Sequence, residues 1–110
     1  MTNAIVRLHR QHYGKGPTRS KSYLAGDVLV CVLADLFTPV ERTLLAAGEG
    51  ELVRYARNAV HDAVGREFRD AVERILGRRV VTFTSQVLVE PEVGMQLFIL
   101  EPASAAGPAA

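Results

Sequence analysis

Apolar residues recur at spacings of three and four positions in two parts of the chain, and this period is typical of amphipathic helices. The first part covers residues 3–13, and Gly14 follows it as the residue type that most often ends a helix. The second covers residues 51–76 and stops before Gly77. Its apolar positions are Leu52, Ala56, Ala59, Val60, Ala63, Val64, Phe68, Ala71, Val72 and Ile75. We predict a helix in each part and expect this stripe to face the core.

A further helix is predicted from its start signal, the sequence TPVE at residues 38–41. Thr38 is suited to cap the first backbone N–H groups, Pro39 lacks the N–H that would go unpaired there, and Glu41 completes a capping box. Glycines at positions 48 and 50 then interrupt the helical period before the long helix begins. We therefore predict two consecutive helices that meet in a hairpin or at an angle.

Four strands are predicted from continuous and alternating apolar runs. A short segment at 21–25 leads through a turn at 26–27 into the run at 28–33, which is apolar at odd and even positions alike. Both faces of that run are expected to be covered, as in a central strand or one sealed by a partner subunit. Later, an alternating strand and a turn at 91–94 lead into a last strand at 95–100. The residues expected to share one face of the alternating strand are Val81, Phe83, Ser85, Val87 and Val89.

The order of elements is therefore α-β-β-α-α-β-β. It predicts an α+β fold with a four-stranded, mainly antiparallel sheet and the helices on one face. The second face of such a sheet is either partly solvated or docked on another copy, and with the doubly apolar strand this favours a homodimer. We assign residues 1–102 to a single domain and expect the Ala- and Pro-rich residues 103–110 to be a disordered tail.

Length and composition limit the function classes. With 110 residues, 48% of them hydrophobic and 23% charged, the chain has the composition of one folded domain. Its one cysteine, Cys31, excludes an internal disulfide and a cysteine cluster for zinc, which favours a reducing compartment. The apolar runs are shorter than the roughly 20 residues of a membrane-spanning helix, and the amino terminus does not have the pattern of a secretory signal. We predict a cytoplasmic protein.

Charge is distributed unevenly, although the formal net charge is only +1. The first 26 residues hold five cations and no acid, whereas the rest of the chain holds eight cations and twelve acids. The five cations are Arg7, Arg10, Lys15, Arg19 and Lys21. This basic end either complements an acidic body or a second subunit, or it holds an anion.

The basic end contains residues 14–21, which we call the Gly14 loop. Its glycines expose backbone N–H groups, its cations add positive charge and its hydroxyl groups can donate hydrogen bonds, so the loop is a hypothetical site for phosphate, carboxylate or bicarbonate. The residues of this anion-binding hypothesis are Gly14, Lys15, Gly16, Thr18, Arg19 and Lys21. The alternative is a structural corner, in which Gly14 ends a helix and Gly16 with Pro17 redirects the chain. A Walker A loop is excluded because the glycine spacing is too short and a helix, not a strand, precedes it.

No set of side chains has the spacing of a catalytic or metal site. His9 and His12 are one helical turn apart, but they supply two ligands where zinc normally takes three or four, so packing or solvation is the expected role. Cys31 lies in an apolar strand without an identifiable base, and we expect it to pack as a small hydrophobic group. We therefore expect no enzymatic activity, no catalytic residue, no metal ligand and no cofactor.

Nucleic-acid binding is the alternative function from another class. The basic amino-terminal end and an α+β fold would suit a small nucleic-acid-binding domain. However, only Tyr13 and Tyr23 offer aromatic rings near that end, and the chain as a whole is not strongly basic. The composition therefore favours other partners over nucleic acid.

Several segments, taken together, resemble a known family. They are YGKGPT at 13–18, DVLVCVL at 27–33, TPVERTLL at 38–45, GRRVV at 77–81, FTSQV at 83–87 and FILEP at 98–102. Over about residues 4–102 the chain resembles the family described as the Na+-translocating membrane-potential-generating system MpsC. The matching motifs are the loop at 14–17 and the helix start at 38–41, and Phe37 stands where the family more usually has leucine.

The resemblance implies a role beside a membrane system for sodium or inorganic carbon, and it brings no catalytic residues with it. A chain without a spanning segment does not move sodium by itself, so it would act as a docked subunit or regulator. We therefore expect a soluble, non-enzymatic accessory or regulatory module, cytoplasmic and held at the inner membrane through a partner. Its expected partners are an integral-membrane transport protein, a second copy of the chain and a small anion, with no direct insertion into the membrane.

Overall fold

The computed structural model describes residues 2–102 and has an α+β fold with the predicted order of elements. The helices are α1 (Thr2–Tyr13), α2 (Pro39–Ala46) and α3 (Gly50–Leu76), and the strands are β1 (Arg19–Ala25), β2 (Val28–Ala34), β3 (Val80–Leu88) and β4 (Val93–Leu100). The predicted fold class is confirmed. The assignment of residues 1–102 to one domain stays a prediction, and the predicted tail at 103–110 lies outside the described residues.

The four strands form one sheet in the order β1-β2-β4-β3, and every neighbouring pair is antiparallel. β2 and β4 are therefore the central strands. Only alternate residues of β2 are buried, so the described chain covers one face of this strand, whereas both faces were expected to be covered. The register places Cys31 of β2 and Ser85 of β3 on either side of Gln96 in β4. All three side chains consequently belong to the same face of the sheet.

Local signals fix the ends of the helices. At the start of α2, the Glu41 N–H donates to Thr38 Oγ1 over 3.2 Å, and the Thr38 N–H donates to Glu41 Oε1 over 2.9 Å. This is the predicted capping box, and it pairs two N–H groups that a helix start leaves free. At the other end of the helical pair, α3 stops at Gly77, whose φ of 66° is the left-handed conformation that glycine adopts without strain.

The core lies between the helices and one face of the sheet. Its main cluster contains Ile5, Leu29, Cys31, Leu33, Phe68, Val72, Val80, Phe98 and Leu100. A smaller cluster of Leu36, Phe37 and Val53 joins α3 to the segment before α2. Burying side chains of this size stabilises the fold by about 2 kcal/mol each. The helices therefore leave the opposite face of the sheet without a covering layer.

The predicted core-facing stripe of α3 is wrong for part of the helix. The positions of this stripe that are exposed instead are Leu52, Ala56, Ala59, Ala63 and Ile75. In the first half of α3, Val53 and Arg57 face the interior, because Val53 packs on Phe37 and Arg57 pairs with Glu41 of α2. Alanine buries too little apolar surface to determine which side of a helix faces inward.

One face of β3 also differs from the prediction. A register shift between Val80 and Thr82 breaks the alternation at the start of the strand. Val80 is buried and Val81 is 56% exposed, whereas Val81 was expected to share a face with Phe83. The alternation is regular after the shift, and Phe83 stacks on Phe98 with ring centroids 4.3 Å apart.

The described part of the molecule is elongated, with principal extents of 54 × 24 × 22 Å. The 27 residues of α3 give it a length of about 40 Å, which accounts for most of the long dimension. Within residues 2–102, no helix combines the length and the apolar character that crossing a membrane requires.

Candidate functional site

A cavity of about 670 Å³ opens between the helical layer and the sheet. We call it the α3–sheet cavity. Its polar lining residues include His9 and Tyr13 of α1, Arg57 and His61 of α3, Ser85 of β3 and Gln96 of β4. These residues come from four separate elements, so the site exists only in the folded chain.

Gln96 is the most unusual residue of the cavity. Its side chain lies on the core face of β4 and is 5% exposed, yet its Oε1 has no hydrogen-bond partner among the described residues. A buried polar atom without a partner costs about 1–3 kcal/mol. Because folded proteins pair nearly all such atoms, an unpaired amide oxygen that faces a cavity is a group that a water molecule or a ligand in the cavity would pair.

Arg57 and Glu41 form a buried ion pair at the side of the cavity. Arg57 Nε and Nη2 each lie 2.6 Å from a different oxygen of Glu41, and Nη2 also donates to the Leu36 carbonyl over 3.1 Å. The guanidinium stacks on the Tyr13 ring, 3.9 Å from the ring centroid. Burial alone would raise the pKa of Glu41, but the hydrogen bonds from Arg57 and Thr38 outweigh it and hold the pKa below its usual value. Glu41 is therefore ionised at neutral pH, and the pair fixes the position of the Arg57 guanidinium.

His9 lies at the inner end of the cavity wall and is neutral at pH 7. Its Nδ1 is 3.0 Å from the Ile5 carbonyl oxygen, and its ring packs between Tyr13 and Phe68. Burial lowers the pKa of His9 from 6.5 to about 4. Because only a protonated Nδ1 can donate to a carbonyl, the neutral ring keeps Nε2 as an acceptor.

His61 and Ser85 form a second polar pair in the cavity. Ser85 Oγ lies 2.9 Å from His61 Nδ1, and the imidazole packs on Phe83 with ring centroids 4.5 Å apart. A serine nucleophile needs a base that a third group orients. No hydrogen bond between the described residues joins His61 to a carboxylate.

The charged residues of the cavity lining are all basic. Arg54 and Arg57 are among its residues, and the described lining contains no aspartate or glutamate. Arg54 lies at the exposed mouth, where it pairs with Glu51 over 3.1 Å. An exposed pair of this kind contributes little to stability, so Arg54 is available to a ligand. Both charged residues of the lining are therefore basic, and each has an acidic partner just outside the lining, Glu51 for Arg54 and Glu41 for Arg57.

The Gly14 loop has the geometry of a corner. Gly14 has a φ of 77°, and its N–H donates to the Arg10 carbonyl over 2.9 Å at the end of α1. Gly16 lies so close to α1 that a Cβ there would come within 3.2 Å of the Val6 carbonyl oxygen. Both glycines are therefore needed to end the helix and turn the chain, which is the structural alternative given above.

The predicted anion-binding residues of the Gly14 loop are brought only partly together. Lys15 donates to the Asp35 carbonyl, and Thr18 Oγ1 donates to Asp35 Oδ2 over 2.9 Å. The hydrogen bond from Thr18 lowers the pKa of Asp35, and the charges of Lys15, Arg42 and Arg19 lower it further. A carboxylate of the chain itself thus lies beside these cations. Lys21 is exposed on β1. Anion binding at this loop stays a prediction.

The remaining residues considered in the sequence have packing or surface roles. His12, one helical turn after His9, has its Nε2 3.0 Å from Glu67 Oε1. Residues 2–102 contain no group of three His, Cys, Asp or Glu residues placed to hold a metal ion. Cys31 is 1% exposed, and burial raises the pKa of its thiol. It packs as a small hydrophobic residue.

The face of the sheet that the helices leave open is strongly apolar. We call it the outer sheet face, and its central residues are Val28, Val30, Val32 and Ala34 of β2 with Met95, Leu97 and Ile99 of β4. Arg19, Lys21 and Tyr23 of β1 border it on one side, and Thr82, Thr84 and Gln86 of β3 border it on the other. None of these residues, all of which the structure describes, is acidic. The face is therefore apolar at its centre and basic along one edge.

Sequence reasoning missed the α3–sheet cavity. Gln96 carried a signal, because it is a polar residue in the middle of the apolar strand MQLFIL. No pattern in the sequence marked Arg57, because its partner Glu41 lies on another helix. The pairing of His61 with Ser85 also depends on tertiary contacts.

Comparison with known proteins identifies the family. The family model described as "Na+-translocating membrane potential-generating system (MpsC)" matches residues 1–102. The chain is also similar to the uncharacterized protein YrhF of Bacillus subtilis (strain 168), with 24% identity over 102 residues that cover 90% of this chain and 84% of YrhF. No solved structure matches the chain significantly. The chain therefore belongs to the MpsC family.

Proposed function

We propose that this protein is a non-enzymatic accessory module of a membrane system that transports sodium or inorganic carbon. In this role it is cytoplasmic and is held at the inner membrane by docking on an integral-membrane transport protein. The family description, which names a Na+-translocating system, supports the physiological setting. The structural support is the outer sheet face.

The outer sheet face carries the proposal because it is a large apolar surface that no element of the described chain covers. Contiguous exposed apolar patches with a polar border mark interaction sites. The bordering cations Arg19 and Lys21 suit a position next to the cytoplasmic leaflet, whose lipids are anionic. An integral partner would therefore meet apolar side chains at the centre of the face and the membrane surface near its basic edge.

Site-specific crosslinking in native membranes tests this docking. A photoreactive amino acid at Leu97, in the centre of the outer sheet face, should crosslink to a polytopic transport protein identified by mass spectrometry. The same group at Gln11, an exposed position on α1, is the control and should not capture that protein. Equal capture from both positions, or no capture of a membrane protein from Leu97, would contradict the proposal.

Nucleic-acid binding is the second candidate, and one observation favours it. Tyr23 is 54% exposed on the outer sheet face and shares the edge strand with Arg19 and Lys21. Single-stranded nucleic acids bind surfaces that combine basic side chains with rings for base stacking. A salt-dependent gel shift with single-stranded RNA that Tyr23→Ala abolishes would favour this function over docking. If no gel shift occurs at low salt, nucleic-acid binding is ruled out as the function.

A further inference from the structure

We propose that the α3–sheet cavity binds a small organic carboxylate. The polar groups of this ligand site, Arg57 and Gln96, lie on the helical side of the sheet, so the proposal does not depend on the docking partner proposed above. Three residues of the cavity lining, Val30, Met95 and Leu97, also belong to the outer sheet face. Three properties of the cavity support the proposal: its size, the hydrogen-bonding groups left unused in its wall, and the sign of its charges.

The size of the cavity indicates an organic molecule. Its volume of about 670 Å³ lies in the middle of the range of about 300–1,000 Å³ that small-molecule sites occupy. An inorganic anion would leave most of this space unfilled. The apolar part of the wall includes Leu33, Val64, Phe68 and Val87. A ligand that fills the cavity would therefore combine a polar head group with an apolar body.

Arg57 supplies a charged donor that its ion pair leaves partly unused. Its bonds to Glu41 and Leu36 involve Nε and Nη2, and none of the hydrogen bonds between described residues uses Nη1. The side chain is 5% exposed and held on both sides, by Glu41 and by the Tyr13 ring. A fixed guanidinium with unused N–H groups is a favourable partner for a carboxylate.

Gln96 supplies the second polar contact. Its amide has one polar atom without a partner, and it faces the same cavity as Arg57. A half-turn of the amide exchanges Oε1 and Nε2, so the side chain can donate to a carboxylate oxygen without other movement. Ser85, paired with His61, adds a hydroxyl group to the same wall. The buried amide would then be satisfied by the ligand.

The charges of the lining select against cations. Arg54 and Arg57 line the cavity, and no acidic residue does so among those that the structure describes. Glu41 beside the cavity is already paired with Arg57, so a buried ammonium group would find no free counter-ion there, which is unfavourable. A neutral amide would keep the hydrogen bonds but lose the attraction to the arginines. The expected order of affinity is therefore carboxylate, then amide, then amine.

Calorimetric titration of the full chain with matched probes measures this order. The probes are butyrate, hexanoate, octanoate and benzoate, with hexanamide and hexylamine as controls for the head group. We expect saturable binding of at least one carboxylate, with about tenfold lower affinity for hexanamide than for hexanoate. Affinity should also rise with chain length until the apolar wall is covered.

Two variants locate the binding. Asn58 is an exposed residue at the rim of the cavity, and Asn58→Asp places a negative charge there without changing size. It should weaken carboxylate binding about tenfold. Asn3→Asp on α1 is the matched control and should leave the affinity unchanged. Gln96→Leu should also weaken binding about tenfold while the unliganded protein becomes more resistant to unfolding.

Each outcome of these experiments either supports or contradicts the carboxylate site. Carboxylate binding that both cavity variants weaken and Asn3→Asp does not supports the site. The proposal is wrong if no carboxylate binds saturably at millimolar concentration, since the cavity then holds water only. It is also wrong if hexylamine binds as well as hexanoate, or if Asn58→Asp has no effect. Should Gln96→Leu fail to fold, the comparison of Asn58→Asp with Asn3→Asp decides the question.

Discussion

At the scale of single residues, two buried titratable groups near the cavity are held in opposite states. Glu41 is kept ionised because Arg57 and the Thr38 backbone pair both of its oxygens. His9 is kept neutral because burial outweighs its hydrogen bond to the Ile5 carbonyl. Both states follow from contacts within a few ångströms, and both have consequences for stability that can be measured.

The first prediction concerns the pH dependence of stability. His9 has a pKa of about 4 in the folded chain and a reference value of 6.5, so between these values the unfolded chain binds more protons. Stability is therefore lost as the pH falls from 6.5 towards 4, by about 3 kcal/mol in total. His9→Phe keeps an aromatic ring and removes the titration. Urea unfolding should show a smaller loss of stability over this pH range in His9→Phe than in the native chain.

The matched control is His12→Phe, the same exchange one turn further along α1. His12 lies nearer the surface, beside Glu67. If His12→Phe reduced the pH dependence of stability as much as His9→Phe does, burial of His9 would not be the cause of that pH dependence. The carboxylates Asp35 and Glu41 have lowered pKa values. The stability that they contribute is therefore lost at more acidic pH than the stability that depends on neutral His9.

At the scale of elements, the second prediction concerns the start of α2. Thr38→Ala removes the acceptor of the Glu41 N–H and should lower the free energy of unfolding by about 1 kcal/mol. Chemical denaturation measures the change. Thr43→Ala in the same helix is the control, because the Thr43 hydroxyl only donates to the Pro39 carbonyl of its own helix. A loss of stability that is equal in both variants would mean that capping is not the reason.

The elements also show which features a sequence predicts. The capping box and Gly77 depend on neighbours within four residues, so helix starts and ends were predictable. The sides that α3 and β3 turn inward were less predictable. In α3 they depend on the pairing of Arg57 with Glu41, and in β3 on the register shift after Val80. Such contacts join distant parts of the chain and leave no periodic pattern.

The candidate site was less predictable than the fold for the same reason. The Gly14 loop drew attention because its glycines and cations are consecutive in the sequence. The α3–sheet cavity brings together His9, Arg57 and Gln96, which belong to three elements. A single sequence shows that Gln96 interrupts an apolar strand, but the lack of a partner for its amide appears only after the strands are paired.

At the scale of the whole molecule, two apolar surfaces lie on opposite sides of the described chain. One is the outer sheet face. The other, which we call the α3 outer face, consists of Leu52, Tyr55, Ala56, Ala59 and Ala63, all exposed. Its alanines would allow another helix to approach closely. One surface can therefore bind a transport partner while the other binds a second copy of the chain.

The last prediction is a homodimer formed by the α3 outer faces. In an antiparallel pair of α3 helices centred between Asn58 and Ala59, Glu51 falls opposite Arg66 of the second copy, and Arg66 falls opposite Glu51 of that copy. The charges beside the apolar stripe are thus self-complementary, as a two-fold interface requires. Light scattering should give twice the chain mass of 12.0 kDa.

Variants on the two surfaces identify the interface. Ala59→Arg places two like charges at the centre of the helix pair and should reduce the measured mass to that of one chain. Ala46→Arg, an exposed alanine on α2, is the control and should leave the dimer intact. Leu97→Glu on the outer sheet face should also leave the mass doubled. If Leu97→Glu separated the copies and Ala59→Arg did not, the outer sheet face would be the dimer interface, and an integral-membrane partner could not occupy it at the same time.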